Sequence, residues 1–335
     1  MLARLLGIGL EGVAVRSDDP SGVDLVISAV GQTFVVEFNK STGAAPIAAA
    51  VRKLQEMAGR FRRRVVPLLA VPFMGEVGRR LCAEAGVGWF DLSGNAYIIA
   101  PGIRIIVDGR PNRFRTVGRP PNLFAAKSSR VVRWLLVHPG EPFTQRHIAR
   151  ATDMTEGFVS RIIRGLEQEG YLDRDEHGAV RPKDPALLLE AWRETYKFSM
   201  HTILKGHVAA RSGEALVRYV SDTLVAQGTE YAVTGLSAAW ALTRFAAFRI
   251  ATVYLPADPS PLLLDRLGWR EDPRGANLWL VVPNDEGVFQ GVVEKDGLRC
   301  VHPVQVYVDL KDHPERAAEA AERLRAELLN WRRDG

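Results

Sequence analysis

The chain has 335 residues, 47% hydrophobic and 25% charged, a balance that suits two or three globular domains and excludes disordered and fibrous classes. The net charge of +5 is unevenly placed: residues 101–200 carry 17 Lys+Arg against 12 Asp+Glu, while 201–335 carry 16 against 18. A polyanionic partner is compatible with that excess. Cys82 and Cys300 stand far apart, without zinc or disulfide spacing. The N-terminal "MLARLLGIGLEG" reaches Glu11 too early for a signal peptide, and Pro67 and Pro72 break the longest apolar run. A soluble cytoplasmic protein without a membrane partner is expected.

Residues 1–108 read as a helix, strands at 12–16, 23–30 and 33–39, a helix at 46–60, a strand at 65–71, a helix at 74–86, then short strands. "VDLVISAVGQTFVVEF" gives two β-rich runs that turn at Gly31 and Gln32. In "FDLSGNAYI" Asp91, Ser93, Gly94 and Asn95 are turn formers, with Gly94 expected at positive φ. Residues 109–127, rich in Gly, Pro and Arg, read as a basic linker. From there a run of cations, Arg110, Arg113, Arg115, Arg119, Lys127, Arg130 and Arg133, continues without an acid.

Residues 128–195 are the most strongly patterned. "SSRVVRWLLVHPG" reads as a helix, Thr144 caps a second, and Thr155 caps a third, "EGFVSRIIRGLEQEGYL". The third helix places Val159, Ile162, Ile163 and Leu166 on one side, and Gly157, Ser160, Arg161, Arg164 and Gln168 on another. With "YLDRDEHGAVRPKD" as a hairpin turning at Gly178, this is a winged helix-turn-helix. Its third helix would enter the major groove of double-stranded DNA. Arg161 and Arg164 suit guanine edges or phosphate, Ser160 and the amides near Thr155 suit phosphate, and Arg174, His177, Arg181 and Lys183 bring the wing to the backbone. Arg130 joins this DNA-binding set.

Residues 200–335 read as α/β: helix 212–226, strand "EYAVTG", helix "SAAWALTRF", strand "RIATVYLP", and a helix at 260–268. Strands "NLWLVVP", "GVFQGVVE" and "PVQVYVDL" follow, with a last helix at 313–331 docked on a sheet. "TGLSAAWAL" is similar to the opening of a nucleotidyltransferase-like fold, but "RIATVYLP" offers none of the carboxylates its metal chemistry requires. Gly235 and Ser237 then read as a turn and cap, Asp309 and Asp312 as surface or cap residues, and His201 and His207 as surface or packing residues.

The order helix, three strands, helix, strand, with Asp24 and Glu37 on the second and third strands, resembles the restriction-endonuclease-like PD-(D/E)XK fold. That resemblance implies Asp24 and Glu37 as metal ligands and a lysine two residues beyond Glu37. Asn39 stands there instead, and Lys40 falls on the opposite face by strand alternation. If the block were a nuclease, Asp24, Glu37 and Lys40 would be its catalytic set with Mg²⁺. An inactive block and no cofactor are the expectation.

"VVPLLAVPFMGEVGRRLCAEAGVGWFDLSGNAYI", the mid-chain winged helix and "PVQVYVDLKDHPERAAEAAERL" together resemble the AbiEi-type antitoxin and transcriptional-regulator family of type IV toxin–antitoxin systems. The resemblance implies a sequence-specific DNA-binding regulator, antitoxin-like and repressing its own operon. Its partners would be double-stranded DNA and a toxin or other protein, and a homodimer is expected. The alternative is a Mg²⁺-dependent DNA nuclease.

Overall fold

A computed structural model describes residues 1–16, 24–61, 64–114 and 123–331, in two compact units, 1–120 and 121–335. Arg115 and Arg119 of the cation run, and residue 23 of the expected second strand, lie outside the described residues.

The first unit runs α1 (Leu2–Leu6), β1 (Ala14–Arg16), β2 (Leu25–Ala29), β3 (Gln32–Phe38), α2 (Ala44–Ala58), β4 (Val66–Val71), α3 (Glu76–Glu84), β5 (Gly88–Asp91), β6 (Ala96–Ala100) and β7 (Ile103–Val107). The strands form one sheet in sequence order; β3, β4 and β5 are mutually parallel and the other neighbours antiparallel. The β2–β3 turn is Val30–Gly31, both at positive φ, one residue earlier than expected; Gln32 already pairs with Ala29.

Alternation along β3 divides the core. Val35 packs with Val26, Leu69 and the inner faces of α2 and α3, while Phe34 and Val36 pack with Leu68, Ile98 and Leu2 on the other face. Helix α2 is amphipathic because Ile47, Ala50, Val51 and Leu54 recur at helical spacing and are buried.

The second unit begins with α4 (Ser129–Val137), α5 (Gln145–Ala151), α6 (Glu156–Gln168), β8 (Leu172–Arg174) and β9 (Val180–Pro182). It continues with α7 (Pro185–Thr195), β10 (Thr202–His207), α8 (Gly213–Ala226), β11 (Ala232–Thr234), α9 (Gly235–Thr243), β12 (Ala251–Tyr254), α10 (Pro261–Arg266), β13 (Arg270–Glu271) and β14 (Leu278–Val282). Last come β15 (Val293–Lys295), β16 (Leu298–Cys300), α11 (Pro303–Asp309) and α12 (Ala317–Leu328). Strands β10 to β16 form a mixed sheet ordered β13-β10-β14-β12-β11-β16-β15.

Three expectations are corrected here. "PVQVYVDL" is the helix α11 rather than a strand: Pro303 occupies its first turn and His302 Nδ1 accepts from the Val304 amide at 3.2 Å. Every residue from Val304 to Asp309 is buried, so no polar face betrays the helical period and the alternating valines mimic a strand. "GVFQGVVE" is mostly a 3₁₀ turn, Glu286–Phe289, with only Val293–Lys295 extended. The last helix spans Ala317–Leu328 and packs on α9 and α11, not on a sheet. Helix α7 and strand β10 had no counterpart in the sequence reading.

Candidate nucleic-acid interface

Helices α4, α5 and α6 with the β8–β9 hairpin form the winged helix, and Phe143 bridges Val180 to widen the wing. Thr144 caps α5 by accepting the His147 amide at 3.2 Å. The turn into α6 passes through Asp153 at φ 51°. Thr155 is extended at the N-cap of α6, but its hydroxyl makes no capping bond and stays exposed. The wing closes on Asp175, whose Oδ1 accepts the amides of His177 at 3.0 Å and Ala179 at 2.8 Å. Gly178 takes the expected positive φ of 82°, which a side chain would strain.

Val159, Ile162, Ile163 and Leu166 of α6 are buried, as their spacing required, whereas Arg161 and Arg164 are exposed and Ser160 is half-buried. Neither arginine has an ion-pair partner among the described residues; the Arg161 guanidinium lies 5.7 Å from the Phe158 ring centre, and Lys127 lies 5.8 Å from the same ring. Arg181 on β9 is exposed and likewise unpaired among the described residues. Arg174, His177 and Lys183 have partners nearby. Arg174 forks onto Glu167 at 2.7 and 2.8 Å and donates to the Gly178 carbonyl, Lys183 pairs with Asp173 at 3.2 Å, and His177 lies 3.6 Å from Glu176.

Arg130 sits elsewhere. Its guanidinium forks onto Asp285 at 2.7, 2.8 and 2.9 Å and reaches Glu286 at 3.0 Å, with its side chain 11% exposed and that of Asp285 7%. These bonds tie α4 to the C-terminal α/β layer and leave no fork to present to DNA. Arg133, also from the cation run, is buried and donates to Gln305 Oε1 at 2.8 and 2.9 Å. Sequence reading missed the exposed α5 cations Arg146 and Arg150, which line a shallow groove with Thr144 and His147; Arg146 pairs with Glu156. Their signal was the four-residue spacing of Arg146 and Arg150.

Gln305 leads from Arg133 into a buried polar network. Its Nε2 donates to Asp309 Oδ1 at 2.7 Å, and Tyr196 donates to the same oxygen. Thr234 donates to Oδ2 at 2.5 Å and Tyr254 at 3.1 Å. His201 Nδ1 accepts the Asn284 amide at 3.0 Å, and Nε2 stands 2.8 and 3.1 Å from the Tyr196 and Tyr254 hydroxyls. Asp309 is thus a buried hub, not the surface or cap residue expected. Burial pushes its carboxyl up to about 6 against four donated hydrogen bonds, and pushes His201 down to about 4. Ser237 is no cap either: its hydroxyl donates to the Thr234 carbonyl and accepts the Thr252 amide. Strand β12 carries Ala251, Thr252, Val253 and Tyr254, so no carboxylate stands there.

In the first unit Asp24 and Glu37 come opposite each other by continuation of the β2–β3 register. Asp24 Oδ2 accepts the Phe38 amide at 2.8 Å, and both Glu37 oxygens take Lys53 of α2, at 2.7 and 2.8 Å. Lys40 is exposed, and Asn39 makes a turn by accepting the Ser41 amide. A Mg²⁺ ion requires about six oxygens near 2.1 Å. One or two carboxylates with waters can supply these, but both Glu37 oxygens here are taken by Lys53, and the described residues hold no group of three or more His, Cys, Asp or Glu that could hold a metal ion. Asp91 and Asn95 are wholly buried and structural: Asp91 accepts the Met74, Gly94 and Asn95 amides, and Asn95 clamps the Arg110 backbone through both ends of its amide. Gly94 has φ 102°, as expected.

Residues 125–181 match the family model described as the MarR family. Residues 181–330 match the one described as transcriptional regulator, AbiEi antitoxin, type IV TA system. No curated protein and no solved structure matches the chain significantly. No described helix is long and apolar enough to cross a membrane.

Proposed function

We propose that this DNA-binding transcriptional regulator reads a specific duplex site through α6 in the major groove and holds the adjacent backbone with Arg181, Arg150 and the α6 N-terminus around Thr155. One observation carries the reading: the α6 face opposite its packed side carries Arg161 and Arg164, neither tied to a carboxylate. A bidentate arginine contact to guanine contributes about 1–3 kcal/mol of discrimination. Arg161→Ala is therefore expected to weaken a site selected from random duplexes by roughly ten- to hundredfold, while sparing random DNA. Equal losses on both would remove Arg161 from base readout, and failure of the intact chain to shift any duplex would sink the proposal.

The C-terminal match supports a second element of the proposal: the regulator is antitoxin-like, represses its own operon, and meets a toxin through residues 181–330. A promoter–reporter fusion with the chain supplied in trans tests autorepression. Co-expression with the neighbouring gene tests neutralisation, and growth arrest unrelieved by the chain would discard the antitoxin role. The first unit we read as an endonuclease-like scaffold that does not cut, because Lys53 occupies the carboxylate on which cutting would depend.

A further inference from the structure

We propose that β7 is a self-pairing edge that joins two copies of this chain into a continuous sheet. Strand β7 ends the first unit's sheet, and no described strand pairs with its outer side. Helix α3 covers this face only as far as Trp89. Beyond it Tyr97, Ile99 and Ile106 are 38%, 47% and 52% exposed, beside a groove floored by Trp89 and closed by the Arg79–Asp108 ion pair. Natural edge strands are usually blunted by lysine, proline or a bulge. The sequence of β7, Ile-Arg-Ile-Ile-Val, carries neither lysine nor proline.

The occupant is identified by charge. Alternation puts Arg104, Ile106 and Asp108 on one face, reading cation, apolar, anion. An antiparallel copy centred on Ile106 reads the same series backwards, so Arg104 of each chain faces Asp108 of the other, with the two Ile106 side chains in contact across the axis. Both groups have capacity to spare. Arg104 is exposed and has no ion pair among the described residues, and the Asp108 side chain is 64% exposed with its bonds to Arg79 and the Gly109 amide both on Oδ1. On the opposite face the half-buried Ile105 and Val107 would meet their counterparts and extend the core around Phe34 and Ile98. A slip of one residue would turn each strand over, and a slip of two would set Arg104 against Ile106, so one register alone satisfies the charges. The copies form an isologous pair.

Sedimentation velocity of the full chain over a concentration series tests this with three variants. Either Arg104→Asp or Asp108→Lys turns two attractive cross-strand pairs into two repulsive ones, so each is expected to raise the dimer dissociation constant roughly thirtyfold. An equimolar mixture of the two restores attraction at both pairs, and the dimer returns as a heterodimer. Ile106→Thr, which keeps a strand-favouring residue but removes the apolar contact, weakens the dimer without charge change. A wild-type chain that stays monomeric, a dimer indifferent to these substitutions, or a mixture no better than its components overturns the proposal. DNA binding by a chain that is monomeric throughout would leave the α6 reading intact while discarding this one.

Discussion

Arg130 offers the sharpest test of how the cation run is used, because a solvated arginine and an internal strut respond oppositely to its removal. Arg130→Met keeps the stem and deletes the fork, leaving Asp285, only 7% exposed, with the Gly287 amide as the remaining hydrogen-bond donor to its side chain among the described residues. Breaking a buried pair from one side costs about 3–5 kcal/mol. The low end applies, since Arg130 keeps 11% exposure and its second partner Glu286 is 73% exposed. For a unit of about 215 residues, an unfolding entropy near 2.1 cal/mol/K per residue converts 3 kcal/mol into a fall of about 7 °C in the transition of the second unit. Differential scanning calorimetry reads that fall. The double variant Arg130→Met, Asp285→Leu should recover about half of it, because no buried charge is then left alone. Anisotropy titrations on random duplex at several salt concentrations should give an unchanged slope. An unchanged melting temperature together with a salt slope smaller by about one would refute the strut and return Arg130 to the phosphate contacts.

The remaining predictions concern DNA, metal and pH. Arg181→Ala lowers affinity for specific and random duplex alike and reduces the salt slope by about one; a loss confined to the specific site would make it a base contact. Incubation with duplex DNA and Mg²⁺ or Mn²⁺ leaves the DNA intact, and cutting that vanishes in Glu37→Ala would reinstate a nuclease. Burial pushes His201 and His302 down to about 4, so the unfolded chain takes up their protons between pH 6.5 and 4 and stability falls as pH falls through that window. Asp309, raised to about 6, runs the other way: it is protonated in the fold but not in the unfolded chain between pH 6 and 4, and it offsets part of the loss. Asp309→Asn should therefore steepen the acid-side loss by about 1.4 kcal/mol per pH unit in urea unfolding between pH 4.5 and 5.5; an unchanged slope would show that Asp309 is ionised there.

The first unit was legible because its strands are half-buried or bounded by turn residues, so period and punctuation agreed. Ile47, Ala50, Val51 and Leu54 announce α2, and Val30–Gly31 announces the hairpin within one residue. Legibility failed where burial was complete. Helix α11 is enclosed on all sides, and with no polar stripe to set the phase its valines carry only their strand preference, which Pro303 and the surrounding helices override. Strand β10 was missed for a related reason: "TILKGH" has little alternation, and its place is fixed by pairing with β14, more than seventy residues away.

The winged helix shows the same limit at the level of single charges. Its apolar positions, caps and wing turn are local, and local sequence specified them. Whether a given arginine is free to meet a phosphate is not local. Arg130 and Arg133 belong to one uninterrupted run of cations, yet their partners, Asp285 and Gln305, lie 155 and 172 residues further along. Arg161 and Arg164 look no different in the sequence, yet neither has an ion-pair partner among the described residues, and Glu167, one turn beyond Arg164, is engaged by Arg174 of β8. A count of positive charge therefore overstates the interface, and the surplus that DNA meets is what remains after the fold has matched its own carboxylates. On the proposed reading, α6 contributes Arg161 and Arg164, α5 Arg150 and the wing Arg181, while Arg130, Arg133 and Arg174 are bound within the fold.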